Sequence, residues 1–155
     1  MELGAEQLIP TSQQAAWDAL NDPDVLKACI PGCEAIDRLS ETQFGVALLA
    51  VVGPIKARFK GTLTLADVDA PSHYVLSFEG SGGAAGFTKG TASVTLTPDP
   101  EGTRLSYVAK AQVGGKLAQV GSRLIDGVAK KIAQDFFSRF NARFAQATAD
   151  DPPGR

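Results

Sequence analysis

The chain has 155 residues, of which 44% are hydrophobic and 21% charged, so it is sized for one packed domain and is not intrinsically disordered. Its formal net charge of −2, without a basic run interleaved with aromatic residues, excludes nucleic acid as an expected partner. No stretch reaches the roughly 18–20 apolar residues that span a bilayer, and the acidic N-terminus lacks a secretory signal, so we expect a cytoplasmic protein.

The N-terminal part is predicted to form one strand and two short helices. Residues 2–9 alternate loosely between apolar and polar side chains, which favours a strand that ends at Pro10. Thr11 and Ser12 offer an N-cap for a first helix that reaches Leu20. The run 21–24 breaks that helix and caps a second one over about 25–28.

Two cysteines follow the second short helix. Cys29 and Cys33 bracket a Pro-Gly turn, one residue further apart than the C-x-x-C of a redox pair. His73 is the only histidine, so the chain does not supply a four-ligand metal site of the usual type. We therefore predict two reduced thiols and no metal.

Residues 34–113 are predicted to form about six antiparallel strands joined by turns. The cleanest alternation lies at 55–65, where apolar residues such as Phe59 alternate with Lys56, Arg58 and Lys60. Turn residues separate the strands at 53–54, 70–72 and 98–102. The glycine-rich run 80–86 is interpreted either as a flexible hairpin or, as a functional hypothesis, as a lid over a cavity.

In the last element the apolar residues recur every three or four positions, instead of every second position as in the strands. One apolar stripe continues through Leu117, Val120, Leu124, Val128, Ile132, Phe136, Phe140 and Phe144. This spacing predicts a single helix of about 30 residues, roughly 45 Å long. Gly121 and Gly127 predict either close packing or space for a ligand, and Asp126 is expected to pair with Lys130. The polar, proline-rich residues 148–155 are predicted to be a disordered tail, which leaves a domain of residues 1–147.

The order of elements predicts an α+β fold. Hairpin connections favour a meander, and a strongly twisted sheet of this size curls. Only the last helix has enough apolar area to cover the concave face of such a sheet. We therefore expect a curved antiparallel sheet wrapped around a long C-terminal helix, with two short helices after the first strand.

Three segments resemble one known family. They are I-P-G-C-E at 30–34, V-G-P-I-K-A-R-F-K-G at 52–61 and G-G-K-L-A-Q-V-G-S-R-L-I-D-G-V at 114–128. Together they resemble the carbon monoxide dehydrogenase CoxG family of the START/Bet v 1-like (SRPBCC) superfamily, over about residues 1–147. The resemblance implies a helix-grip fold with an apolar cavity between the sheet and the last helix. It also implies a non-catalytic accessory protein of molybdenum hydroxylase-type dehydrogenases, peripherally associated with the inner membrane face.

From that setting we expect a carrier for a quinone-like isoprenoid lipid, with no covalent cofactor. The predicted cavity residues are Phe44, Leu48, Phe59, Leu63, Leu76, Phe78, Leu124, Val128, Ile132 and Phe136. Tyr74 or Tyr107 is expected to bond a polar headgroup, because a buried phenol needs a partner. The first alternative is a structural adaptor for the dehydrogenase that carries no ligand. The second is a small cyclase or dehydratase, which would need polar side chains that the inward faces almost lack.

The segment 46–52 is apolar on both faces and ends in a tight turn. An outward apolar strip beside basic residues is typical of a surface that contacts a membrane or a partner. The predicted contact residues are Leu49, Val51, Gly53, Pro54, Lys56 and Arg58. The alternative is that the strip is buried under the short helices.

Overall fold

One long antiparallel sheet and one long helix dominate the computed structural model, which describes residues 1–150, with side chains up to residue 144. In chain order the elements are β1 (Glu2–Ile9), α1 (Gln13–Leu20), α2 (Pro23–Cys29), β2 (Cys33–Arg38), β3 (Gln43–Val52), β4 (Ile55–Asp69), β5 (His73–Ser81), β6 (Phe87–Asp99), β7 (Gly102–Gly114) and α3 (Ser122–Asp150). Two 3₁₀ turns, Gly83–Ala85 and Gly115–Val120, follow β5 and β7. Residues 151–155 of the predicted tail lie outside the described residues.

The seven strands lie in the order β1-β7-β6-β5-β4-β3-β2, and every neighbouring pair is antiparallel. Strands β2 to β7 form the predicted meander, and β1 closes the series by pairing with β7. The predicted α+β fold, a curved antiparallel sheet held against a long C-terminal helix, is confirmed.

Local capping explains where the short helices begin. The Ser12 hydroxyl accepts a hydrogen bond from the backbone N–H of Ala15 at the start of α1. The Asp22 carboxylate accepts one from the N–H of Asp24, and Pro23 occupies the first turn of α2. Because of this cap, α2 begins earlier than the predicted 25–28.

The predicted single C-terminal helix is interrupted near its start. Gly121 has a φ of +99°, so the chain leaves the 3₁₀ turn 115–120 there and begins α3 at Ser122. Leu117 therefore belongs to the 3₁₀ turn, where it is buried together with Val52 and Phe59. The predicted ion pair between Asp126 and Lys130 is also wrong, since the intrahelical pair in the described part of α3 joins residues 131 and 135 at 3.2 Å.

The glycine-rich segment 80–86 is not an open hairpin. Strand β5 continues to Ser81, and the N–H of Gly82 donates to the carbonyl of Gly86 at 2.8 Å. A side chain at Gly86 would collide with the carbonyl of Gly114, and one at Gly115 would lie 2.7 Å from the Cα of Gly86. The two 3₁₀ turns thus approach each other through glycines, and the lid stays a prediction.

The two ends of the fold differ in how they are filled. We call the end with the β3–β4 turn, both 3₁₀ turns and the start of α3 the cavity end, and the opposite end the far end. Aromatic contacts fill the far end: Trp17 meets Tyr74 edge-on at 5.3 Å, and Phe140 stacks on Phe136 at 5.6 Å. Its fully buried aliphatic residues include Ile9, Leu96 and Leu105. The cavity end has a smaller cluster around Phe59.

Candidate ligand-binding cavity

A cavity of about 280 Å³ lies between the concave face of the sheet and α3, towards the cavity end. Its apolar lining comes from β3, β4, β5, the second 3₁₀ turn and α3. The apolar side chains that line it are Val46, Leu48, Ala50, Val52, Phe59, Leu63, Phe78, Leu117 and Ile132. The arrangement gives an apolar molecule a water-poor surface to occupy.

Missing side chains on facing strands create this space. Gly61 of β4 lies directly opposite Gly80 of β5, and both belong to the cavity wall. A Cβ at Gly61 would collide with the carbonyl of Glu79, so close strand approach requires glycine there. A Cβ at Gly80 would approach no atom closer than 3.6 Å. The backbone therefore tolerates a side chain at Gly80, and its absence leaves the cavity unfilled.

The cavity reaches the surface beside α3. Ile132 lines the cavity and is still 43% exposed, so the gap between α3 and the sheet opens at this residue. Nearer the start of α3, the side chain of Leu124 lies against Gly53, where a Cβ would be 2.6 Å from the Leu124 Cδ2 atom. This contact joins α3 to the β3–β4 turn at the cavity end.

A separate shallow groove lies beside the start of α3. Its lining includes Val120, Leu124, Gly127 and Val128. A Cβ at Gly121 or at Gly127 would have no atom within 4 Å, so the close packing predicted for these glycines is wrong, and space for a ligand beside them stays a prediction. The groove offers a second apolar surface near the cavity opening.

One polar side chain points towards the cavity. Strand alternation turns Lys60, Thr62 and Glu79 away from the concave face, because their chain neighbours Phe59, Leu63 and Phe78 line it. Thr88 pairs with Gly80 in the register and therefore shares the concave face. The Thr88 hydroxyl makes no hydrogen bond within the described residues. A ligand with a single carbonyl or hydroxyl group would find one partner here.

Among the described residues, the His73 and Glu34 side chains lie away from the cavity. His73 lies at the far end, with its Nδ1 atom 3.1 Å from the Thr95 hydroxyl. Glu34 pairs with Arg58 at 2.9 Å on the outer face. Within residues 1–150, no group of three His, Cys, Asp or Glu side chains is placed to hold a metal ion.

The two cysteines are free thiols. Burial raises the pKa of Cys29, although the charges of Arg143 and Arg139 oppose this shift. Burial likewise raises the pKa of Cys33. A raised thiol pKa lowers the fraction of nucleophilic thiolate, so neither residue is activated for chemistry.

The structure brings only part of the predicted ligand-binding set to the cavity wall. The predicted residues that line it are Leu48, Phe59, Leu63, Phe78 and Ile132. The predicted residues that do not line it are Phe44, Tyr74, Leu76, Tyr107, Leu124, Val128 and Phe136. Whether the first group binds a ligand stays a prediction.

The predicted residues that do not line the cavity pack elsewhere in the fold. Tyr74 packs on Trp17, and Tyr107 stacks on Phe137 at 5.7 Å, so neither phenol ring forms part of the cavity wall. The other core residues fill space between the sheet and the helices, namely Phe44, Leu76 and Phe136. Leu124 and Val128 line the shallow groove beside the start of α3 instead.

Several wall residues are not among those predicted from the sequence. Val46, Ala50 and Val52 alternate with Leu48 on β3, so the period-two pattern already indicated that they share its face. Leu117 was assigned to the helix stripe because its spacing fits that stripe. Thr88 needed the strand register, since only its pairing with Gly80 places it at the cavity.

The outward strip on β3 is not covered by the short helices. Val51 is 59% exposed, and α2 packs on the concave side, where Leu26 joins the cluster of Ile36 and Phe44. The alternative of burial under the short helices is therefore wrong for Val51. Lys56 pairs with Val51 in the register, and Leu49 pairs with Arg58. Contact of this strip, including Gly53 and Pro54, with a membrane or a partner stays a prediction.

The curved sheet, the long C-terminal helix and the partly open apolar cavity between them define a helix-grip domain of the START-like class. A START superfamily protein from Mycobacterium smegmatis has the same fold, with a TM-score of 0.74 over 94% of this chain and 98% of its own, at 11% identity. A protein from Thermus thermophilus superposes with a TM-score of 0.70 over 95% of this chain and 99% of its own, at 16% identity.

Within that class the chain belongs to the carbon monoxide dehydrogenase CoxG family, whose profile matches residues 4–145. A conserved protein from Geobacillus kaustophilus is similar in both sequence and structure, with 30% identity and a TM-score of 0.88. That comparison covers 95% of this chain and 97% of the other. No curated protein matches the chain in sequence. Within the described residues, no helix is both long and apolar enough to cross a membrane.

Proposed function

We propose that this protein is a non-catalytic accessory of a carbon monoxide dehydrogenase-type molybdenum enzyme. It binds an apolar, quinone-like lipid in its cavity and links the enzyme to the membrane quinone pool. The observation that carries the proposal is the apolar cavity of about 280 Å³ beneath α3. Family membership supports the accessory role, and the cavity supports the cargo.

The size of the cavity favours a ligand that is only partly enclosed. Ligand sites usually have volumes of roughly 300–1,000 Å³, and this cavity is at the lower limit of that range. It can hold a quinone ring or a short part of an isoprenoid tail. In this proposal, the remainder lies along the groove of Val120, Leu124 and Val128. Enclosing about 150 Å² of apolar ligand surface would contribute roughly 4 kcal/mol.

The lining of the cavity also favours ligand transport over catalysis. General acid–base catalysis needs a positioned proton donor or acceptor near the reacting group. Strand alternation gives the cavity one inward polar side chain, Thr88, whose hydroxyl can donate and accept hydrogen bonds but is too weak an acid and base for general acid–base catalysis. A cyclase or dehydratase activity therefore has little support.

The adaptor alternative predicts a fully packed core. The far end meets that expectation, but Gly61 and Gly80 leave the cavity end hollow. Position 80 tolerates a side chain that the sequence does not supply, so the apolar space left open under α3 favours a ligand.

The test is to fill the cavity from the backbone position that tolerates a side chain. Isothermal titration with a short-chain ubiquinone should show binding to the wild type and at least tenfold weaker binding to Gly80→Leu. The matched control is Thr91→Leu, an exposed position on the outer face of β6, which should bind as the wild type does. Equal affinity for all three proteins, with thermal melts showing that each is folded, would contradict the proposal.

A further inference from the structure

The charges of the protein are separated along its long axis although its formal net charge is only −2. Basic residues that make no ion pair within the described residues are concentrated towards the cavity end: Lys56, Lys60, Lys89, Lys116, Arg123 and Lys130. Acidic residues are concentrated at the far end, in the turns and strand ends there: Asp22, Glu41, Asp67, Asp69, Asp99 and Glu101. The molecule is therefore an electric dipole with its positive pole at the cavity end.

The opposing charges at each end are partly neutralised by pairing. At the cavity end, Glu34 is held by Arg58, and Glu2 lies 4.0 Å from Lys110, which leaves Glu79 and Asp126 as the unpaired carboxylates.

At the far end, Arg104 contacts both Glu6 and Asp99. Arg38 donates to the carbonyl of Asn21 and covers the Phe44 ring, while Arg139 and Arg143 stay exposed on α3.

The backbone of α3 adds to this separation. The helix begins at Ser122 at the cavity end, and Asn141 donates to the carbonyl of Leu8 near the far end. The first turn of α3 contains no acidic residue. A helix carries a partial positive charge at its N-terminus, so its dipole has the same direction as the side-chain dipole.

Apolar side chains lie exposed among the basic residues of the cavity end. Val51 is 59% exposed, Phe87 48% and Leu124 39%. Exposed apolar residues surrounded by lysine and arginine are the combination that binds an anionic lipid surface, because the cations meet headgroups and the apolar groups enter the interface.

We propose that the cavity end docks on an anionic lipid bilayer, and that the molecular dipole orients the protein so that the cavity opening faces the lipid. The acidic far end is repelled by the same surface. This inference rests on the proposed function, because an isoprenoid cargo dissolves in the bilayer and not in water. The charges that orient the protein on the bilayer are distributed over several strands, turns and α3.

Vesicle co-sedimentation tests the docking separately from ligand carriage. Vesicles of phosphatidylcholine with phosphatidylglycerol, containing no quinone, should bind the protein, whereas phosphatidylcholine alone should not. The double variant Lys116→Glu, Arg123→Glu should bind at least about 25-fold more weakly, since each basic residue near the surface strengthens binding about fivefold. Added salt should weaken the binding of the wild type by screening the charges.

The matched control has the same change in net charge at the other end. Arg139→Glu with Arg143→Glu alters two exposed residues of α3 near the far end and should bind vesicles as the wild type does. Absence of binding to anionic vesicles, or equal losses in the two double variants, would overturn the proposed orientation. Quinone titration of the same proteins keeps this outcome distinct from a failure of the cavity to bind ligand. Circular dichroism verifies that each variant is folded.

Discussion

The far end and the cavity end of this fold are built from the same sheet and the same helix but are filled differently. At the far end, large aromatic rings interlock, and Phe140 is fully buried between Phe136 and Phe144. At the cavity end, facing glycines on β4 and β5 leave a hollow under α3. The comparison indicates that the far end holds the fold together, which allows the cavity end to keep space for a ligand.

The largest expected contrast between the two ends is in stability. Phe140→Ala removes a fully buried ring from the far end and should lower the free energy of unfolding by about 3–5 kcal/mol. Leu48→Ala removes a side chain that already faces empty space, so it should cost only about 1 kcal/mol. Urea denaturation followed by circular dichroism measures both. Similar losses at the two positions would break the comparison.

A smaller effect should be seen at high pH. Burial at the far end raises the pKa of Tyr74 far above its usual value of 10.0. Above about pH 10 the unfolded chain ionises this phenol while the folded protein keeps it protonated, so stability falls as the pH rises, by up to about 1.4 kcal/mol per pH unit. Unfolding free energies measured between about pH 9 and 11 should fall less steeply in Tyr74→Phe. An unchanged slope in that variant would show that Tyr74 is not the source.

The smallest effect concerns Thr88, the polar side chain that points towards the cavity. Thr88→Val keeps the shape of the side chain and removes its hydroxyl, so quinone binding should weaken about fivefold, or by about 1 kcal/mol. Thr88→Ser keeps the hydroxyl and should retain most of the affinity. Titration calorimetry compares the three proteins. Full affinity in the valine variant would mean that the ligand bonds elsewhere or is wholly apolar.

The general architecture was predictable because its patterns are long. Apolar alternation over β3 and β4 and the apolar stripe over α3 each continue for many residues, so strand and helix periods are unambiguous there. The break at Gly121 was not predictable in the same way. Leu117 and Val120 fit the helical spacing, and only the φ of +99° at Gly121 separates their 3₁₀ turn from α3.

The cavity was harder to predict than the fold. Alternation indicates which face of the sheet a side chain occupies but not which part of that face is filled by the core. The pattern therefore predicts Tyr74 at the ligand site, whereas it packs on Trp17 at the far end. The hollow itself depends on Gly61 facing Gly80 across two strands, which requires the register of β4 and β5. The charge separation likewise depends on which turns share an end of the sheet.

The central claim is that the cavity end binds an apolar ligand, and lipid extraction tests this claim most directly. The wild type and Gly80→Leu would be incubated with quinone-containing vesicles, re-purified, extracted with organic solvent and analysed by mass spectrometry. We predict a stoichiometric quinone or other isoprenoid in the wild-type extract and a strongly reduced amount with Gly80→Leu. An empty wild-type extract would contradict the carrier function and favour a structural adaptor for the dehydrogenase.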